Sequence, residues 1–411
     1  MNYKIIILLI SSLFTVKVFA IGNISIHGYG TVGLAYQGDD KTLYRNSINT
    51  KEGSSANFSL ANYSSFGLQL DVQASKKISL VAQGVASKKN NNGKTLELSW
   101  LNAKYQLNDD FFLRVGKMRL AAFMYSDILD VSYSYDWMRL PDMYSIVPIN
   151  NYIGVEFNHN IELGNFTFMS TYLYGQSKSV FYDNLPDGKI LKGDIDTDKI
   201  YGASLKVLYD NLALRFAYCD LKLTLHSKSL DTNLNQLNSL NIPLVTQAID
   251  EYSMENTSMS YLEIGARYDF EKAYLLGEYI ELNSHSFTSN NSSWYLGTGY
   301  NFESWSPFML YSQTKSVNQY KDIKTDKNMN PALLGAINAS NEALKSISES
   351  IGNVNLETFS LGLRYNLSEN SIIKLQYDKQ VEEKGSKVNF HFSENKKVNL
   401  DIFSGAVSFV F

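Results

Sequence analysis

The sequence predicts an all-β fold, a transmembrane antiparallel β-barrel of about 16 strands with short turns on one rim and long loops on the other. Three observations predict this class. Apolar and polar residues alternate along segments of about ten residues, and connectors of alternating length join these segments. The chain also ends on an alternating apolar segment, "FSGAVSFVF" (403–411).

The composition narrows the class of protein. The chain has 411 residues and a formal net charge of -4, so it offers no basic surface for nucleic acid. Its single cysteine cannot form an intrachain disulfide, and its five histidines lack a metal-binding spacing such as HxxxH. We therefore expect no cofactor, no metal site and no enzymatic activity.

Residues 1–20 have the features of an export signal. Lys4 precedes the apolar run 5–14, and Ala20 supplies a small residue before the cleavage point. An apolar core of about ten residues is too short to cross a bilayer. We predict a signal peptide over 1–20 and a single mature unit over 21–411. This unit is then a periplasmic globular protein, a secreted protein or an outer-membrane β-barrel.

The alternation is clearest in "YLEIGARYDF" (261–270) and "FSLGLRYNL" (359–367). One face carries Leu, Ile, Tyr and Phe, and the other carries Gly, Ser and charged residues. The segment 200–209 repeats this pattern, which is typical of lipid-facing barrel strands with aromatic residues near their ends. Any single segment would also fit a β-sandwich, whose apolar face is buried.

The number and spacing of the segments favour the barrel over the sandwich. Short turns at 75–77, 108–110, 162–165, 210–211, 271–272, 303–306 and 368–370 alternate with longer segments at 38–63, 88–94, 118–150, 176–198, 223–258, 283–292, 316–356 and 383–397. An even number of strands lets the sheet close without an unpaired edge in lipid. The predicted strands are 23–37, 64–74, 77–87, 95–107, 111–117, 151–159, 165–175, 199–209, 211–222, 259–270, 272–282, 293–302, 306–315, 357–367, 371–382 and 398–411.

Both ends of the mature chain resemble known outer-membrane proteins. The terminal pattern of Phe403, Val407, Phe409 and Phe411 resembles the C-terminal signature of Gram-negative outer-membrane proteins, and "ISIHGYGTVGLAY" (24–36) resembles the first strand of the general porin superfamily. The resemblance implies the outer membrane of a Gram-negative bacterium and insertion by the barrel-assembly machinery. It also implies contact with membrane lipid and lipopolysaccharide, a homotrimer, and a third long loop folded into the lumen.

By this resemblance the loop 118–150 forms the constriction of the pore. Its apolar residues, such as Phe123 and Trp137, suit packing on the barrel wall. The stretch "LPDMY" (140–144) departs from the acidic, glycine-rich loop tip of the enterobacterial general porins, and an external loop packed on the rim is the alternative. Within the loop the candidate pore residues are Arg119, Asp127, Asp130, Asp136, Arg139 and Asp142.

The polar faces of the strands carry cations that would line the lumen. Arg on the lipid face would cost about 2–4 kcal/mol at the midplane, so a barrel strand holds it inside. Carboxylates and guanidiniums facing each other across a narrow wet gap would create a transverse field and bias selectivity. Alternatively, each cation is solvated or paired with a lumen acid such as Glu156. The candidates on the strands are Arg114 and Glu156 at the constriction, and Lys104, Lys206, Arg215, Arg267, Arg364 and Lys374 on the wall.

The predicted function is an outer-membrane porin that passes small hydrophilic solutes and ions by passive diffusion. A channel selective for anions, sugars or carboxylates, and an adhesin or structural barrel, remain as alternatives. Two further features of the predicted loops do not affect this functional prediction. "DIDTDK" (194–199), expected in the fourth loop, lacks the Gly and Glu of a full calcium loop, and 331–351 has apolar residues at helical spacing.

Overall fold

The structure is a computed structural model that describes residues 20–21, 23–38, 42–45, 47–51, 63–87, 96–184, 190–326, 328–349, 351–386, 390–391 and 397–411. Apart from Ala20, the predicted signal peptide lies outside these residues. The described chain contains sixteen long strands: β1 Ile24–Gln37, β2 Ser65–Gln73, β3 Ile78–Ser87, β4 Leu96–Gln106, β5 Phe111–Arg119, β6 Asn151–Leu163, β7 Phe166–Asn184, β8 Ile190–Tyr209, β9 Leu212–His226, β10 Thr257–Asp269, β11 Ala273–Ser284, β12 Asn290–Tyr300, β13 Trp305–Val317, β14 Leu356–Ser368, β15 Ser371–Glu382 and β16 Val398–Val410. Each of them corresponds to a predicted strand.

The strands form one closed antiparallel sheet. Each strand pairs with its neighbour in sequence, and β16 returns to pair with β1 in the register Ile402↔Gln37 to Val410↔Tyr29. Two further bonds between the backbones of Gly28 and Phe411, both 2.9 Å, extend this closing seam to the last residue. Closure removes the unpaired edge that hydrocarbon could not solvate.

The faces of the strands are those that the alternation predicts. On β14 Leu361 is 42% exposed on the outside, whereas Glu263 on β10 is fully buried inside. On β16 Phe403 is exposed, while Ser404, Ala406 and Ser408 are buried towards the lumen. The exposed apolar band therefore faces outward, as a lipid-facing surface requires.

Aromatic residues mark both borders of this band. At the short-turn rim, the ring centroids of Trp305 and Tyr365 lie 4.3 Å apart, and those of Phe166 and Tyr209 lie 4.4 Å apart. Nearer the long-loop rim, Tyr174, Tyr201 and Tyr218 are about half exposed on neighbouring strands. Such rings sit at the interfaces between hydrocarbon and water.

The segment 176–198 differs from its prediction as a loop. β7 and β8 continue through most of it as a paired hairpin, so "DIDTDK" lies on a strand. In this outer part the polarity of the wall is inverted: Lys178, Asp196 and Lys222 lie on the outer face, and Leu221 and Leu223 are buried inside. The inversion places this part of the hairpin beyond the hydrocarbon, in a polar environment.

The long loops also contain helices. α1 (Lys228–Asn238) and α2 (Pro243–Glu251) lie in the fifth loop, where no helix was predicted, and α3 (Pro331–Glu349) matches the helical spacing of 331–351. These helices pack apolar residues such as Val245 and Leu344 over the long-loop end of the lumen. Within the described residues, none of the helices has the length and apolar character needed to cross a membrane.

Candidate functional site: the inner loop and the lumen

The connection between β5 and β6, residues 120–150 (the inner loop), runs inside the barrel. Four residues before the loop, on β5, Gly116 has φ 135°, and a Cβ at this position would lie 2.2 Å from the carbonyl oxygen of Leu101. Glycine therefore lets β5 leave its pairing with β4, which ends at Leu101↔Lys117. The inner loop then reaches as far as the opposite rim, where the hydroxyl of Tyr133 donates to the carbonyl of Glu369.

Short 3₁₀ turns shape the inner loop, at Ser126–Ile128, Ser132–Ser134 and Asp142–Tyr144. Serine hydroxyls stabilise these turns locally. The backbone amide of Phe123 donates to Oγ of Ser126 at 2.8 Å, and Oγ of Ser145 donates to the carbonyl of Asp142 at 2.6 Å. These are the local side chain to backbone bonds that favour turns over regular structure.

Glu278 on β11 holds the inner loop against the far wall. Its carboxylate accepts from the amide of Met124 at 2.9 Å, from the hydroxyl of Tyr144 at 2.6 Å and from that of Tyr295 at 3.1 Å. Burial and the neighbouring Glu278 raise the pKa of the Tyr144 hydroxyl well above its ordinary value, so Tyr144 keeps the proton that it donates. Two of these three donors, Met124 and Tyr144, belong to the inner loop, so one carboxylate holds the loop near both of its ends.

Lysine and arginine side chains of the wall bind backbone carbonyls of the inner loop. The fully buried ammonium of Lys374 donates to the carbonyls of Ser132 and, at 2.7 Å, Trp137. Arg215 donates to the carbonyl of Ala121 at 2.6 Å and also pairs with Glu263 at 3.5 Å. Both cations were predicted on the lumen wall, and the structure places them beneath the loop rather than in open water.

The other predicted charges of the inner loop form ion pairs, with the exception of Asp127. Asp127 is exposed, and no ion pair to it occurs within the described part of the chain. The pairs are Arg119 with Asp130, Asp136 with Arg364 at 3.3 Å, and Arg139 with Asp142 at 2.8 Å and Asp378 at 3.3 Å. The opposed charges are thus in direct contact, as in the alternative of paired cations and acids that the sequence left open beside an open gap.

Arg267 completes the wall contacts. Its guanidinium binds Asp269 at 2.7 Å, donates to the Tyr125 hydroxyl at 3.3 Å and lies 4.5 Å from the ring centre of Tyr274. The hydroxyl of Tyr274 in turn donates to Asp136 at 2.7 Å. This cation therefore supports the loop through two tyrosines.

Three predicted cations remain open to the lumen on the short-turn side of the loop. Arg114 is 30% exposed and lies 3.6 Å from Glu156, and Lys104 lies 4.2 Å from the ring centre of Phe112. Lys206 is exposed and is paired in register with Arg215. Arg114 and Lys104 face each other across the β4–β5 pair, so together they give this wall a positive surface.

Some of the residues that hold the loop were not singled out from the sequence. Glu278 and Asp378 occupy inward positions of β11 and β15, and Tyr261 donates from β10 to the carbonyl of Ala122 at 2.7 Å. Alternation alone would place all three in the lumen. Alternation does not predict which inward residues contact the loop, because the path of the loop through the lumen depends on tertiary packing.

A polar cavity of about 70 Å³ separates the inner loop from the wall of β1–β4. The wall contributes Thr31, Ser65, Ser99 and Glu97, and the loop side contributes Asp130 and, from the end of β5, Arg119. Nε of Arg119 has no hydrogen-bond partner among the described residues. An unpartnered buried donor in a polar cavity is a place for water or a polar solute.

The C-terminal residues lie on the closing seam. The ring of Phe409 covers Gly30 and that of Phe411 covers Gly28, while Val407 pairs with Val32. Phe403 stays exposed on the outer face. The apolar signature at the end of the chain thus forms part of the outer surface where the first and last strands meet. Over the described residues, the structure contains no cluster of His, Cys, Asp or Glu that could hold a metal ion.

Comparisons with known proteins agree with this architecture. The barrel is similar to solved structures of Salmonella typhi OmpF in complex with daunomycin (TM-score 0.54, 12% identity, 94% of this chain and 97% of that chain) and of the outer-membrane channel DcaP of Acinetobacter baumannii (TM-score 0.54, 8% identity, 96% and 100%). It is also similar to the trimer form of in-vitro folded OmpT, an outer-membrane protein of Vibrio cholerae (TM-score 0.51, 10% identity, 95% and 100%). A comparison with curated protein sequences finds no match.

At such identities the structural likeness establishes the fold. The family is established by sequence, because the model of the Gram-negative porins matches residues 11–385. The chain therefore belongs to the Gram-negative porin family, and it is an outer-membrane channel built on a closed sixteen-stranded barrel.

Proposed function

We propose that this porin passes small hydrophilic solutes and ions by passive diffusion through a narrow polar passage between the inner loop and the wall of β1–β5. The observation that supports it best is the asymmetry of the lumen. The inner loop is bound to the wall of β9–β16 by ion pairs and hydrogen bonds, and the polar cavity lies on the other side.

The residues of this passage suit polar solutes. Arg119 and Asp130 put opposite charges at the cavity, and the wall supplies the hydroxyls of Thr31 and Ser99. On the short-turn side, Arg114, Lys104 and Lys206 add positive charge at the approach. Charged side chains near a narrow aqueous path bias which ions enter it. The small volume of the cavity predicts a lower conductance than that of an unobstructed barrel of this size.

The partners implied by the family are part of the same proposal. A homotrimer is supported by the similarity to the trimer form of Vibrio cholerae OmpT. The charged outer face of the β7–β8 hairpin, with Lys178, Lys192 and Asp196, would contact lipopolysaccharide, and its position next to the aromatic border supports this part of the proposal. The outward-facing seam residues Phe409 and Phe411 would serve the barrel-assembly machinery during insertion.

Single-channel recording in a planar bilayer tests the proposal. We expect ohmic conductance, reduced in Ser65→Trp because the indole would enter the polar cavity. The matched control is Leu68→Trp on the same strand, whose side chain is 47% exposed on the outer face and should leave the conductance unchanged. Equal conductance of both variants would refute the passage, and a silent bilayer would refute the channel in favour of an adhesin or structural barrel. Block by one added solute would favour the selective channel.

A further inference from the structure

The outer part of the lumen contains a second cavity of a different character. It has a volume of about 120 Å³ and lies between β7–β12, the inner loop and the chain that precedes β14. The inward positions of β9 along this cavity are Cys219, Leu221, Leu223 and Leu225, all less than a tenth exposed. The inner loop supplies its floor, with Ile146 and Val147.

This lining is unexpected for a wall that faces a water-filled lumen. The outward positions of the same strand, Asp220, Lys222 and Thr224, are polar, so β9 is inverted here relative to its lipid-facing part. The described lining of the cavity includes no charged side chain. A charged ligand would lose its hydration without gaining a counter-ion, and this excludes carboxylates and ammonium groups as occupants.

The size of the cavity limits what it can hold. Protein interiors pack closely and contain few voids larger than a water molecule, and each void destabilises the fold in proportion to its volume. An apolar cavity of roughly 150 Å³ is known to stay free of water and to bind benzene. A cavity of about 120 Å³ therefore suits a molecule of one aromatic ring or a short aliphatic chain.

One polar group in the lining lacks a partner. Ser289, in the connection between β11 and β12, is 3% exposed, and its hydroxyl has no hydrogen-bond partner within the described residues. Thr288 and Asn291 lie beside it and make this end of the cavity polar. Since a buried hydroxyl without a partner is costly, a ligand that carries one hydrogen-bonding group would be held with that group at Ser289.

We propose that this cavity is a binding site for a neutral, predominantly apolar small molecule of one-ring size with a single hydroxyl or carbonyl group. The site differs from the polar passage in position, lining and ligand, and the inference does not depend on conduction. It gives the porin an apolar vestibule on the long-loop side of the inner loop.

The test uses 4-fluorobenzyl alcohol as the probe and fluorine NMR with the full mature chain in lipid nanodiscs. We expect saturable binding that is lost in Leu223→Trp, which fills the cavity, and kept in Tyr218→Trp, which places the same ring on the outer face of the same strand. The difference between the binding signals of the two variants excludes the part of the signal that comes from probe dissolved in the lipid. Ser289→Ala should weaken binding of the alcohol about fivefold and leave that of fluorobenzene unchanged.

Two further measurements keep the test decisive. 4-Fluorobenzoate, which has the same ring and a negative charge, should not bind. If Leu223→Trp does not fold, the single cysteine of the wild-type chain reports instead: benzyl alcohol should slow the reaction of Cys219 with methyl methanethiosulfonate, and benzoate should not. Absence of saturable binding, equal binding to both tryptophan variants, or equal binding of the benzoate would overturn the proposal.

Discussion

Replacing Lys374 with methionine should release the inner loop from the wall of β15. The side chain keeps most of its length, while the buried ammonium that binds the carbonyls of Ser132 and Trp137 is lost. Each hydrogen bond from a charged group contributes about 1.5–3 kcal/mol. Two such bonds give a loss of roughly 3 kcal/mol, which lowers the ratio of docked to undocked loop about a hundredfold, since each factor of ten corresponds to about 1.4 kcal/mol.

Amide hydrogen exchange read by mass spectrometry measures this ratio directly, because local opening governs exchange of protected amides. Peptides from residues 120–150 should exchange about a hundredfold faster in Lys374→Met, and peptides from the strands should not change. Lys379→Met is the matched control, since Lys379 is exposed on the outer face of the same strand. Unchanged exchange in the inner loop, or equal acceleration throughout the barrel, would refute the reasoning that Lys374 anchors the loop.

Three other predictions follow from the lumen and the seam. Arg114→Gln should make the channel more selective for cations, because the carboxylate of Glu156 loses its positive partner. The reversal potential in a salt gradient measures this selectivity, and an unchanged value would show that Arg114 does not contact the path of the ions. Gly116→Ala would put a methyl carbon 2.2 Å from the carbonyl oxygen of Leu101 in a residue with φ 135°, and it should destabilise the barrel by about 1–3 kcal/mol in urea unfolding. Gly84→Ala, with no atom within 4 Å of the added carbon, should not destabilise it. Deleting Phe411 should lower the amount of heat-modifiable, folded barrel in cells, and a normal amount would exclude this residue from assembly.

Much of the fold follows from alternation, because a period of two assigns each side chain to one face. Leu262 and Phe359 are outside and Glu263 and Ser360 are inside, as the pattern requires. The short turns follow for the same reason, since a polar pair such as Asp210 and Asn211 interrupts two alternating runs. These features depend on local sequence alone.

The outer ends of the strands did not follow from the pattern. Beyond Tyr201 and Tyr218 the environment outside the barrel changes from lipid to polar surroundings. The polar face of each strand therefore points outward there, and the apolar face points into the lumen. Leu221 and Leu223 face inward there, and "DIDTDK" lies on a strand. A pattern of two faces shows which residues are alike but not which solvent each face meets.

The candidate site was predicted in part. Alternation placed Arg215, Arg364 and Lys374 on the inner wall, and the structure agrees. Their pairing with Asp136 or with loop carbonyls could not be read from the sequence, since these contacts join positions more than 90 residues apart. The separation of a polar passage from an apolar vestibule likewise arises only when the inner loop divides the lumen.

The inner loop is synthesised before the half of the barrel that holds it. Its anchors on β9–β16, from Arg215 to Asp378, all come later in the chain. Asp136 and Arg139 have their wall partners, Arg364 and Asp378, on β14 and β15. The bound position of the inner loop therefore depends on strands that follow it in the chain, so a fragment that ended before β9 could not hold the loop in this way.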